Sequence, residues 1–133
     1  MRILGVEFAS FNMNYVGIED DGNSQIIITA NRVILGSTRD RDALIAFQKA
    51  TQTLLNDFAP DYIAIKLKPE SGKMRGGAAA IKMEGILLAN APCEIEFISG
   101  QKINKLKDGG IEIYAYLQTA LKAALVVCKL KAE

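Results

Sequence analysis

The sequence predicts an α/β layer fold, a mixed five-stranded sheet with helices on both faces. Three observations lead there. The chain opens with strand-like segments joined by short turns. After Gly36 the hydrophobic spacing changes from that of a strand to that of a helix. Each of the last two strands is preceded by a helix, as right-handed crossovers onto parallel strands require. The 133 residues suit a single domain, 1–133, and half of them are hydrophobic, enough to cover a sheet on both sides.

Arg2 to Ala9 is apolar and partly β-branched, with Glu7 the only carboxylate inside it. Met13 to Glu19 alternates apolar with small or polar residues, the pattern of a half-exposed strand. Asp20-Asp21-Gly22-Asn23 supplies the turn chemistry of a hairpin, and Gln25 to Leu35 the third strand. These three strands form an antiparallel meander. Ser37 or Thr38 is the expected helix cap, with Asp40 and Asp42 in a first turn that favours negative charge. Leu44, Phe47, Thr51, Leu54 and Phe58 then recur at helical spacing, and Pro60 ends the run. Tyr62 to Leu67 is the fourth strand and Lys68 to Gly77 a polar, glycine-rich loop. A second helix is expected over Ala78 to Asn90, a fifth strand over Cys93 to Ile98, and a polar connection over Ser99 to Gly110. The last helix is expected over Ile111 to Leu130.

Several classes of chemistry are excluded outright. The chain has no histidine, which removes histidine bases, Ser-His-Asp triads and histidine-ligated zinc. Its two cysteines, Cys93 and Cys128, are far apart in sequence and match neither a zinc ribbon nor a redox dithiol. Two thiols in a reducing cytoplasm are expected. Sixteen basic residues against fifteen acidic ones give a net charge of +1, so neither a polybasic nor an acidic tail is present. No signal peptide is visible, and charges interrupt the most apolar stretch, so neither a membrane span nor a membrane partner is expected.

The order of elements resembles that of the ribonuclease H-like superfamily, especially its RuvC and YqgF type of Holliday-junction resolvase-like proteins. Ile3 to Ser10 looks like the family's first strand with its leading acidic residue, Glu7. Pro60 to Lys66 looks like the strand that ends in the second acidic residue. Ala78 to Ile86 looks like the helix packed near the sheet, and Glu96 to Lys105 like the strand and basic turn that follow. The resemblance covers nearly the whole chain and implies a bacterial branch of unassigned function with a degenerate acidic site. Enzymes of this kind hold two divalent metals with several carboxylates. Here Glu7 stands in place of an aspartate, and Lys66 reverses the charge at the second position. Asp108 and Glu112, expected at the start of the final helix, are the candidates for the last acidic position. If a metal binds at all, its ligands would be Glu7, Asp108 and Glu112, and the metal Mg²⁺ or Mn²⁺.

The degenerate catalytic positions are therefore Glu7, Lys66, Asp108 and Glu112. A salt bridge between Glu7 and Lys66 is the competing structural role for that pair. Lys68, Lys73 and Arg75 lie in the glycine-rich loop that ends in Gly76-Gly77, where helix N–H groups can receive a phosphate. Lys102 and Lys105 form a second basic cluster, expected at the same end of the sheet as Glu7. Phe11, Tyr15, Tyr114 and Tyr116 are the aromatics that could stack on bases, with core packing as their ordinary alternative. The last helix is apolar around much of its circumference and calls for two partners, one of which could be a second copy of the chain. Three readings stay open: a DNA- or RNA-associated protein with lost or reduced nuclease activity, a rebuilt metal-dependent nuclease, and a non-catalytic homodimeric interaction protein.

Overall fold

The computed structural model describes residues 1–72, 76–107 and 110–132. Strands β1 (Arg2–Ala9), β2 (Asn12–Asp20) and β3 (Gln25–Ile34) form the meander. Helix α1 (Arg41–Phe58), β4 (Tyr62–Lys66), α2 (Ala78–Asn90) and β5 (Glu94–Ile98) follow, then α3 (Gly100–Lys105) and α4 (Gln118–Lys131). The sheet order is β3-β2-β1-β4-β5, with β1 antiparallel to β2 and parallel to β4. The apolar first strand is central, as a strand needing neighbours on both edges should be.

Alternation along β1 divides the interior into two cores. Leu4, Val6 and Phe8 pack with Phe47, Leu55 and Phe58 of α1 and with Met83 and Leu87 of α2. Ile3 faces the other way, where Val16, Ile18 and Ala64 meet α4 through Ala120, Leu121, Ala124 and Val127. Gly5 lies on this second side. A Cβ there would sit 1.9 Å from the Ala120 carbonyl oxygen, so only glycine lets α4 approach the sheet this closely.

Asp40, rather than Ser37 or Thr38, caps α1, its carboxylate accepting the Asp42 N–H at 3.0 Å. The last helix begins at Gln118 after a short 3-10 turn over Ala115–Leu117, not at Ile111. The reason is visible in the alternation Ile111-Glu112-Ile113-Tyr114. Ile111 and Ile113 are half-buried against the α4 core, while Glu112 and Tyr114 are exposed. That is an extended segment whose apolar content blends into the helix that follows. Ile103 of α3 and the following Leu106 pack into the same core. The last helix thus packs against further parts of its own chain, with Lys129 and Leu130 among its exposed positions.

The two sheet edges are uneven. β3 is the longer, and its Ile26, Ile28 and Ile34 are exposed. Among the described residues, no helix is long and apolar enough to cross a membrane.

Candidate functional site

The apolar packing on the α4 side stops one pleat beyond Gly5. Glu7 comes next on that face, paired across the antiparallel ladder with Asn14, which pairs in turn with Arg32 of β3. On the other side Val6 pairs with Ile65, so Glu7 and Lys66 are the next residues along adjacent parallel strands. Arg32, Asn14, Glu7 and Lys66 therefore form a polar row across four strands. It lies at the carboxyl ends of β1 and β4, where sheets of this kind bind ligands.

The start of α4 borders the row. At the helix's other end, Lys131 lies 4.7 Å from the Tyr62 ring centroid and pairs with Glu94 and Glu96 at the beginnings of β4 and β5. The helix thus runs back along the strands, and its first turn lies toward Glu7. Just before it, the Arg32 guanidinium sits 5.4 Å from the Tyr116 ring centroid. Tyr116 stacks on Tyr114 with centroids 6.2 Å apart and planes 18° from parallel.

Glu7 and Lys66 are each half-buried and side by side, but the expected salt bridge does not form. The described ion pairs join Met1 and Arg2 to Glu19, and Lys131 to Glu94 and Glu96. Both groups keep access to water at the strand ends, where solvent screens their attraction. Asn14 is the buried member of the row, and its Oδ1 has no hydrogen-bond partner.

The other expected residues divide between two places. Lys68 lies near the row, half-buried, with Gly76 packed against its side chain. The Gly76 N–H is not free for an anion, because it donates to the Pro69 carbonyl at 2.8 Å. Gly77 caps α2. Lys73, Arg75 and Asp108 lie outside the described residues. Glu112 is exposed in the extended segment, not at the start of the final helix. Lys102 and Lys105 do not join the loop cluster. Helix α3 folds back along α4, and they line a hollow of about 250 Å³ with Lys129 and Leu130, near the far end of α4. Their charges belong to a different surface from Glu7. Tyr15 points into the α1 core, where burial pushes its phenol up.

The resolvase resemblance implies Mg²⁺ or Mn²⁺, which take hard oxygen ligands. The row offers one carboxylate and one amide oxygen, flanked by an ammonium and a guanidinium. Among the described residues, no group of three aspartates, glutamates, cysteines or histidines could hold a metal. Among the described residues, this donor set does not fit a two-metal centre.

Arg32 and Asn14 were missed in the sequence reading because neither has a local motif. Their only signal was a polar residue interrupting an otherwise apolar strand.

Residues 1–125 match a family described as a protein of unknown function, DUF3010. No curated protein matches the chain. Among solved structures, Thermus thermophilus RuvC aligns at a TM-score of 0.79 with 10% identity, over 99% of this chain and 98% of that one. T. thermophilus RuvC in complex with a Holliday junction substrate gives 0.81 at 11% identity, over 99% and 95%. The fowlpox virus resolvase with its substrate Holliday junction DNA gives 0.61 at 12% identity, over the whole of both chains. The fold is RuvC-like and of the ribonuclease H type.

Proposed function

The chain belongs to that family of unknown function, and we propose that it binds DNA or RNA through the polar row with lost or strongly reduced nuclease activity. The observation that carries this reading is the row itself. Its one carboxylate, Glu7, stands between Asn14 and Lys66, with Arg32 beyond Asn14, where a cleaving relative needs converging acids. Lys66, Lys68 and Arg32 provide the charge that phosphates recognise, and Lys73 and Arg75 follow in the same loop. The structural neighbours bound to Holliday junctions support a nucleic-acid partner. The two unpaired thiols fit a reducing cytoplasm.

Contacts of this kind release counterions, so affinity should fall steeply with salt and depend little on sequence. Anisotropy titrations with four-way junction, duplex and single-stranded probes test it. Charge reversal at Arg32 and Lys66 should weaken binding to every probe, whereas reversal at Lys102 and Lys105 should matter less. No binding in low salt at tens of micromolar (on the order of the weakest nonspecific contacts) would remove the reading. Mn²⁺-dependent cleavage that disappears in Glu7→Gln would replace it with the rebuilt nuclease using Glu7, Asp108 and Glu112.

A further inference from the structure

We infer that Tyr114 and Tyr116, braced by Arg32, form a stacking platform for an unpaired base of a nucleic-acid strand, an inference that rests on the nucleic-acid reading. Tyr114 is 76% exposed and Tyr116 42%. Here the two rings are ordered against each other rather than splayed. Their backbone is fixed from behind, since Ile111 and Ile113 are packed into the α4 core and Leu117, immediately after Tyr116, is buried. The Leu117 N–H also donates to the Tyr114 carbonyl at 2.9 Å, closing the short turn that brings the two rings together.

Arg32 supplies the other half of the device. Its guanidinium lies over the Tyr116 ring, and it forms no ion pair among the described residues. A cation near the inner ring and an open face on the outer ring make a surface on which a flat π system can continue the stack. Arg32 also begins the polar row, so a strand whose backbone follows Arg32 and Lys66 would bring a neighbouring base to the tyrosines. Bases inside a duplex are not available for such stacking. The platform therefore prefers single strands, or unpaired positions within a branched structure, over continuous duplex.

The chain contains no tryptophan and four tyrosines, so the share of tyrosine emission that Tyr114→Ala and Tyr116→Ala remove reports on stacking. Oligo(dT) and oligo(U) should quench that emission, while an abasic deoxyribose-phosphate oligomer of equal charge should bind without quenching it. Relative strength of the dT and U arms distinguishes DNA from RNA as the source of the base. Tyr114→Ala and Tyr116→Ala should each weaken single-strand binding by about tenfold or more, with Tyr116→Phe restoring it and duplex affinity nearly unchanged. A melting curve of each variant confirms that the fold persists.

The outcomes separate cleanly. If the abasic oligomer binds as well as oligo(dT) and both alanine variants behave as wild type, the platform is wrong while nucleic-acid binding stands. If nothing binds, both ideas fall. If Tyr114→Ala instead abolishes a concentration-dependent self-association, the rings are a protein contact and the base platform is overturned.

Discussion

The two faces of the sheet carry the same strands to different ends. On the α1–α2 side, β1 presents Leu4, Val6 and Phe8, apolar to its last turn, and the core runs the length of the strand. On the α4 side it presents Ile3, then Gly5, then Glu7, so packing gives way to polarity halfway along. The first face stabilises; the second is free to hold a site, because α4 ends its close contact at Gly5 and uncovers what lies beyond. A cavity of about 720 Å³ between α1 and α2, lined by Leu44, Ile45 and Ile86, shows the contrast again. It is roomy and largely apolar, and it contains none of the row's residues.

Gly5→Ala should break the comparison most severely. Its new methyl meets the Ala120 carbonyl, which belongs to helix backbone and cannot rotate away. We expect a loss of roughly 3 kcal/mol or more in urea unfolding, with α4 displaced from the sheet. The opposite outcome awaits Gly85→Ala in α2, where a Cβ meets nothing within 4 Å. Removing an exposed helix-interior glycine should raise stability by about 0.5–1 kcal/mol in the same measurement. A glycine required on one face and dispensable on the other is the sharpest form of the difference.

Glu7→Gln should change stability by less than about 1 kcal/mol, because no ion pair is broken. It should nevertheless tighten nucleic-acid binding modestly by removing the row's one negative charge. A large drop in melting temperature would show that Glu7 is held by a buried partner after all.

At neutral pH the smallest effect concerns Cys128 of α4, buried in the core between that helix and the sheet. Burial, reinforced by the nearby Asp20 carboxylate, pushes its thiol from 9.0 up to about 12. The folded chain therefore keeps this proton where the unfolded chain loses it. Stability should be insensitive to this group below pH 9 and should decline between about 9 and 12. Comparing alkaline melts of wild type and Cys128→Ala isolates the slope, which should be shallower in the variant. In the native protein, thiol labelling at neutral pH should modify the half-buried Cys93 before Cys128.

Much of this was readable in the residues because it is local. Hydrophobic spacing marks α1, the Asp-Gly turn marks the meander, and an isolated carboxylate in an apolar strand marks Glu7. What was hidden depends on register and on folding back. Arg32 and Asn14 join Glu7 only because two antiparallel ladders align them, and no sequence window contains all three. The Ile111–Tyr114 segment was absorbed into the last helix because its isoleucines satisfy a helical apolar tally as well as an extended one. Lys102 and Lys105 were placed near Glu7 by strand order alone, whereas α3 reverses direction after β5 and carries them away.

The long outer strand β3 has a consequence for how this protein must be handled. An unpaired edge ten residues long, with isoleucines facing water, is a template on which another extended chain can add. Arg32 interrupts that template with a charge, which opposes edge-to-edge association, and it is also a member of the polar row. Replacing it with an aromatic residue to extend the stack would remove that charge. Such a variant should lose solubility during refolding before any gain in affinity could be measured, so efforts to tighten binding belong on Tyr114 and Lys68 instead.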